Sequence, residues 1–98
     1  VARVEIAPGV AGDFDRIFDH LARYDPQRAA ARIGEIIAAF DVLQTNPRIG
    51  RPAAGGKREL IIGHGSRGHV ALYRYVAEID TVFVLALRSQ REAGYRRD

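Results

Sequence analysis

Side chains able to do chemistry are concentrated in two stretches. Between positions 64 and 75 the chain reads HGSRGHVALYRY, with His64, Arg67, His69, Tyr73, Arg74 and Tyr75. Near the C-terminus, RSQREAGYR adds Arg88, Arg91 and Tyr95. RNA cleavage without a metal needs one group to take the proton of the attacking 2′-hydroxyl, one to protonate the leaving 5′-oxygen, and cations to stabilise the phosphorane-like transition state. Without a base and an acid in register, the same groups make a basic surface that holds a partner. Other chemistries fit less well. His64 and His69 lie five apart across a glycine turn with no third ligand at a suitable spacing, so no metal is expected. Gly63, Gly65 and Gly68 are followed by a strand pattern and not by a helix, which marks a hairpin turn and not a phosphate cradle. Ser66 and Ser89 have neither a nucleophile elbow nor a base with an orienting partner.

The elements that position these residues follow from hydrophobic period. Val4 and Ile6 alternate with Arg3 and Glu5 as in a half-buried strand, which Pro8-Gly9 ends. Phe14, Ile17, Phe18, Leu21 and Tyr24 recur at steps of three and four, the stripe of an amphipathic helix from about Val10. Asp25-Pro26 closes that helix and opens another, since Asp suits the N-cap and Pro the first helical position. Ala29, Ala30, Ile33, Ile36, Ile37, Phe40 and Leu43 form the second stripe, stopped by Asn46-Pro47. So short a connection predicts an antiparallel helical hairpin, with Gly34 read as allowing close backbone approach to the first helix.

PRIGRPAAGGK reads as an irregular loop, RELIIG as a strand, and HVALYRYVA and TVFVLALR as two longer strands joined by a tight turn. The expected fold is α+β, a helical hairpin on one face of a mostly antiparallel sheet, in the order β-α-α-β-β-β over a single domain, residues 1–98. On the strand from His69 to Val76, His69, Ala71, Tyr73 and Tyr75 share one face and Val70, Leu72, Arg74 and Val76 the other. The second set is the more apolar and is expected to face the core. Arg74 would then reach solvent at the strand end or pair with Glu59 or Glu78.

Composition bounds the function. The 98 residues are 47% hydrophobic and 28% charged, without cysteine, which fits one globular domain in a reducing cytosol and excludes a disulfide scaffold. VARVEIAPGV lacks the apolar core of a signal peptide, and no window approaches the roughly 18 apolar residues of a membrane span. Charge is uneven: residues 1–47 carry five Arg against seven acids, and residues 48–98 ten Lys or Arg against five. The basic C-terminal half suits an acidic partner.

Gly50-Arg51-Pro52 after a long helix, then RELIIG, GHVALYRYV and VFVLALRSQREAGYR, in this order and spacing, resembles the ParE/RelE superfamily of toxins. The resemblance spans nearly the whole chain. It implies a cytoplasmic toxin of the plasmid-stabilisation kind, made beside a cognate antitoxin whose C-terminal segment wraps and neutralises it. RelE-like members act as ribosome-dependent mRNA endoribonucleases, whereas ParE-like members inhibit DNA gyrase without a hydrolytic centre. Where the RelE pattern opens a strand with Tyr-Arg, this chain has His69-Val70, so an apolar side chain replaces a cation. The RelE lysines of the preceding strand have only Lys57 and Arg58 nearby. Tyr95 matches the RelE tyrosine, but Ser89 falls at its arginine, with Arg88 and Arg91 on either side. GSRGHVALYR matches the ParE pattern better. The resemblance therefore implies a gyrase inhibitor with no cofactor, no metal and no catalytic residue, contacting its target through Arg67, His69, Arg88, Arg91 and Tyr95. A nuclease would draw on His64, His69, Arg88, Arg91 and Tyr95, with the ribosome and mRNA as partners. A non-toxic binding relic is the third reading.

Overall fold

The computed structural model describes residues 1–96. Strand β1 (Arg3–Ile6) leads into helices α1 (Gly9–Ala22) and α2 (Pro26–Thr45), followed by strands β2 (Arg51–Ala53), β3 (Lys57–Ile62), β4 (His69–Val76) and β5 (Thr81–Ser89). The helices turn back on one another where expected. Asp25 is extended and its carboxylate accepts the Arg28 N–H at 3.2 Å, while Pro26 takes the first helical position. Phe14 and Phe40 meet edge to face, their centroids 6.1 Å apart, and join the two helices.

All five strands form one sheet in the order β1-β5-β4-β3-β2, with β1 parallel to β5 and the other pairs antiparallel. The expected α+β architecture is observed, with one strand more. Residues 51–53, read as irregular, pair with β3 through Arg51↔Glu59, Pro52↔Arg58 and Ala53↔Lys57. Proline is tolerated because β2 is an edge strand, and Gly55 and Gly56, both at positive φ, make the turn that returns the chain. Between Leu72 and Tyr73 the β4–β5 register slips, from Leu72↔Ala86 to Tyr73↔Val84, and β5 bulges at Leu85.

The helix-facing side of β4 is the reverse of the one expected. His69, Ala71 and Tyr73 are buried, and Ala71, Tyr73 and Tyr75 pack with Val82, Val84, Leu87 and the helices. Val70, Leu72, Arg74 and Val76 face away. Alternation defines two sets but not which one points inward. Tyr73 wins the inner position because its ring fills the core while its hydroxyl accepts the Gly50 N–H at 2.8 Å, leaving no orphaned polar atom. Arg74 pairs with neither Glu59 nor Glu78; its exposed head donates to the Gly55 carbonyl at 2.9 Å.

The helical stripes are also narrower than their periodicity suggests. Phe18, Tyr24 and Ile37 are exposed, as is Ala30, because a five-stranded sheet covers only part of each helix surface. Gly34 does not mediate a close approach: a side chain there would meet nothing within 4 Å. Among the described residues no helix is long and apolar enough to cross a membrane.

The bond between Tyr73 and Gly50 ties the end of the α2–β2 loop to the core. We expect Tyr73→Phe to lower unfolding free energy by about 1–3 kcal/mol, because it strands a buried N–H. Urea denaturation followed by circular dichroism reads this directly; an unchanged midpoint would remove the bond from the account.

Candidate functional site

The sheet separates two groups of polar residues. On its open face, away from the helices, Glu59 of β3 is a hub. Its Oε1 accepts from Arg51 Nε at 2.9 Å and its Oε2 from the Tyr95 hydroxyl at 2.5 Å, with Arg88 Nη2 at 3.9 Å. The Arg88 guanidinium lies 5.1 Å from the centre of the Tyr95 ring, a cation–π contact, and its Nη1 donates to the carbonyls of Ser89 and Glu92. The Tyr95 hydrogen bond, then Arg51 and Arg88, hold the Glu59 carboxyl below its ordinary range against the opposing effect of burial. Burial, then the Glu59 bond and charge, push the Tyr95 phenol far above its ordinary value. The cluster therefore keeps an ionised carboxylate and a protonated phenol between two guanidiniums. Val70, fully buried, lies beside it in register with Arg88 and Ile61.

On the helical side a cleft of about 880 Å³ opens between the tip of the hairpin, the β3–β4 turn and the C-terminal segment. A chain of charges forms its floor. Asp13, buried on α1, accepts the Leu87 N–H at 2.9 Å through Oδ2 and Arg16 Nη1 at 3.0 Å through Oδ1. Arg16 Nη2 donates to the Leu87 carbonyl at 3.3 Å and to both Glu92 oxygens at 3.0 Å, and Glu92 in turn accepts the Ser89 N–H at 3.0 Å. Burial opposes charge on Arg16 and on Glu92. Their mutual hydrogen bond and attraction outweigh it, with the Asp13 and Ser89 contacts adding to the effect, so the guanidinium is raised and the carboxyl lowered.

His69 belongs to this second group. It lines the cleft at 3% exposure, and its Nδ1 has no hydrogen-bond partner among the described residues. Burial first, then the positive charge of Arg32, lower its pKa, over the opposing pull of Glu92 and Glu35, and keep the ring neutral near pH 7.

The residues singled out from sequence thus fall in three places. Arg67, His69 and Arg91 line the cleft, Arg88 and Tyr95 sit on the open face, and His64 is exposed in the β3–β4 turn. Neither the binding set nor the nuclease set forms one cluster. Sequence reasoning missed Glu59 and Arg51, which become neighbours only through the unforeseen β2. It also missed Asp13, although Val10, Asp13 and Ile17 follow helical spacing and all three are buried. A carboxylate on an apolar stripe was the available signal. Among the described residues no group of His, Asp and Glu is placed to hold a metal ion.

Because the folded state lowers the Glu59 pKa, its ionised form stabilises the fold above the ordinary value of 4.5, and this contribution is lost as pH falls through the lower folded value. We expect Glu59→Gln to cost about 1–3 kcal/mol at pH 7. The gap from wild type should close on acidification in denaturant titrations. A gap that persists unchanged at acid pH would show that charge is not its cause.

Comparison with known proteins bears on what this arrangement serves. The family described as ParE toxin of type II toxin-antitoxin system, parDE, matches residues 4–94. Toxin RelE1 of Caulobacter vibrioides is 41% identical over 63 residues, covering 63% of this chain and 67% of the relative. A solved chain described as the chromosomal ParDE TA system from P. aeruginosa aligns with a TM-score of 0.76 over 90% of this chain and 95% of its own, at 23% identity, which is a likeness of fold. The chain belongs to the ParE family of toxins of type II toxin–antitoxin systems.

Proposed function

We propose that this toxin acts by binding DNA gyrase and trapping it on cleaved DNA, and that a cognate antitoxin holds it inactive. The state of Glu59 carries the reading. RNA cleavage on the open face would need a base with a free lone pair and cations free to meet a phosphorane. Glu59 is instead ionised well below neutral pH, and Tyr95, Arg51 and Arg88 occupy its oxygens. His69, an imidazole of the nuclease set, is buried on the other side of the sheet. The position of the RelE cation is filled by the buried Val70. In this reading Arg67 and Arg91, both exposed, contact the target, while Arg88 and Tyr95 hold the C-terminal segment that presents Arg91, and His69 shapes the wall behind it.

One observation favours a second reading. Arg51, Glu59, Arg88 and Tyr95 do share a face, and the relative from Caulobacter vibrioides carries the name RelE1. A ribosome-dependent endoribonuclease would then use Glu59 as base and Tyr95 as proton donor.

Purified gyrase, supercoiled plasmid and stoichiometric toxin decide between them. Cleaved complexes should accumulate with wild type and fall about tenfold or more with Arg67→Glu/Arg91→Glu, where two attractive charges are reversed. Translating ribosomes with toxin should leave mRNA intact. No cleaved complexes, together with mRNA cuts abolished by Glu59→Gln, would establish the second reading instead.

A further inference from the structure

The cleft on the helical side holds more than the exposed Arg67 and Arg91 assigned above to target contact. Its walls carry six arginines against three carboxylates, so it is strongly electropositive although the whole chain carries only +3. Arg16 and Arg32 are engaged with Glu92 and Glu35. Arg28, from the first turn of α2, and Arg67, from the β3–β4 turn, reach the cleft from its two walls with no ion pair to any described residue. All six cations are arginine, whose planar fork pairs two oxygens of one phosphate at once and holds its charge when desolvated.

Two further observations narrow the ligand. Tyr24 stands at the rim with 80% of its surface exposed, held by an edge-to-face contact with His20 at 5.7 Å. An aromatic ring so exposed beside a basic cleft is a platform on which a nucleobase stacks. At the other end His69 is 97% buried, yet its Nδ1 has no hydrogen-bond partner among the described residues. An unmet buried ring nitrogen is costly and is ordinarily satisfied by something the chain does not supply. A volume of about 880 Å³ is that of a small-molecule site.

We propose that this cleft binds a nucleoside phosphate, with the phosphate between Arg28 and Arg67 and the base on Tyr24. The ligand is a free nucleotide or the 5′-phosphorylated end of a single strand, which present the same chemistry. The open-face cluster takes no part, and binding by the isolated toxin does not depend on its target being gyrase.

The test is titration of isotopically labelled toxin by NMR with adenosine 5′-monophosphate, inorganic phosphate, adenosine, a 5′-phosphorylated trinucleotide and a glutamate-rich peptide. The nucleotide should shift the His69 and Tyr24 resonances saturably and bind about tenfold or more tightly than phosphate or adenosine alone. Arg28→Glu and Arg67→Glu should each weaken it about tenfold or more, as expected for loss of a charge-assisted contact. Tyr24→Ala should weaken the nucleotide and leave inorganic phosphate unaffected. Arg3→Ala, on the far β1 edge, should change nothing, and an unaltered amide spectrum certifies that each variant is folded. A trinucleotide that binds more tightly than the monophosphate assigns the site to strand ends; equal or weaker binding assigns it to free nucleotide. The proposal fails if the monophosphate produces no saturable shift, if its shifts survive Arg28→Glu/Arg67→Glu, or if the acidic peptide binds more tightly than the monophosphate.

Discussion

The fold depends on how the outer edge of β5 is satisfied. The parallel partner β1 is four residues long, and the last backbone bond to β5 runs from the Ala7 N–H to the Val84 carbonyl. Beyond it, the N–H and C=O of Leu87 and the N–H of Ser89 would meet no strand, and unmet backbone groups this close to a core are expensive. Asp13 and Arg16 of α1 supply the missing acceptor and donor at Leu87, and Glu92 supplies an acceptor at Ser89. Two side chains, one turn apart on a helix, thereby stand in for a strand. The Leu85 bulge lies just past the last residue of β5 in register with β1.

That substitution sets the geometry of everything polar. It fixes α1 on the sheet at the level of Leu87, and this opens the cleft between the hairpin tip and the β3–β4 turn. Through Glu92 it also anchors the C-terminal segment, from which Arg91 and Arg96 reach the cleft while Tyr95 crosses to the open face. Both faces are therefore coupled to one ion-paired strap. The two sides then use their charge differently. On the open face a single carboxylate binds its arginines and a phenol tightly enough to leave that surface self-contained. In the cleft the carboxylates are outnumbered, and the positive field remains available to a ligand.

The basic C-terminal half read from composition thus resolves into surfaces of unlike character. A sum of charges along the chain does not report which of them are already paired. Arg88 and Arg91 are three residues apart and equally basic, yet one is packed against Tyr95 and Glu59 and the other faces the cleft. Strand alternation up to Ser89 and the turn after it, with the Glu92 N–H bonded to the Ser89 carbonyl, send them to different sides.

Much of the protein was determined locally. The Asp25-Pro26 break, the two helices, the three longer C-terminal strands and the order that identifies the family follow from capping chemistry and hydrophobic period, which act within a few residues. Tertiary structure decided the rest. A period of two marks a pair of faces without ranking them, so the inward turn of His69 and Tyr73 depended on Gly50, 23 positions away from Tyr73, offering its N–H to the tyrosine hydroxyl. Strand β2 is only three residues long, with Pro52 at its centre and glycines on both sides, so it does not signal itself, and it exists because β3 offers a free edge. The pairing of Glu59 with Tyr95 spans 36 residues, and that of Asp13 with Leu87 spans 74. Contacts at such separations are made by the packing of elements already formed, and no local pattern encodes them.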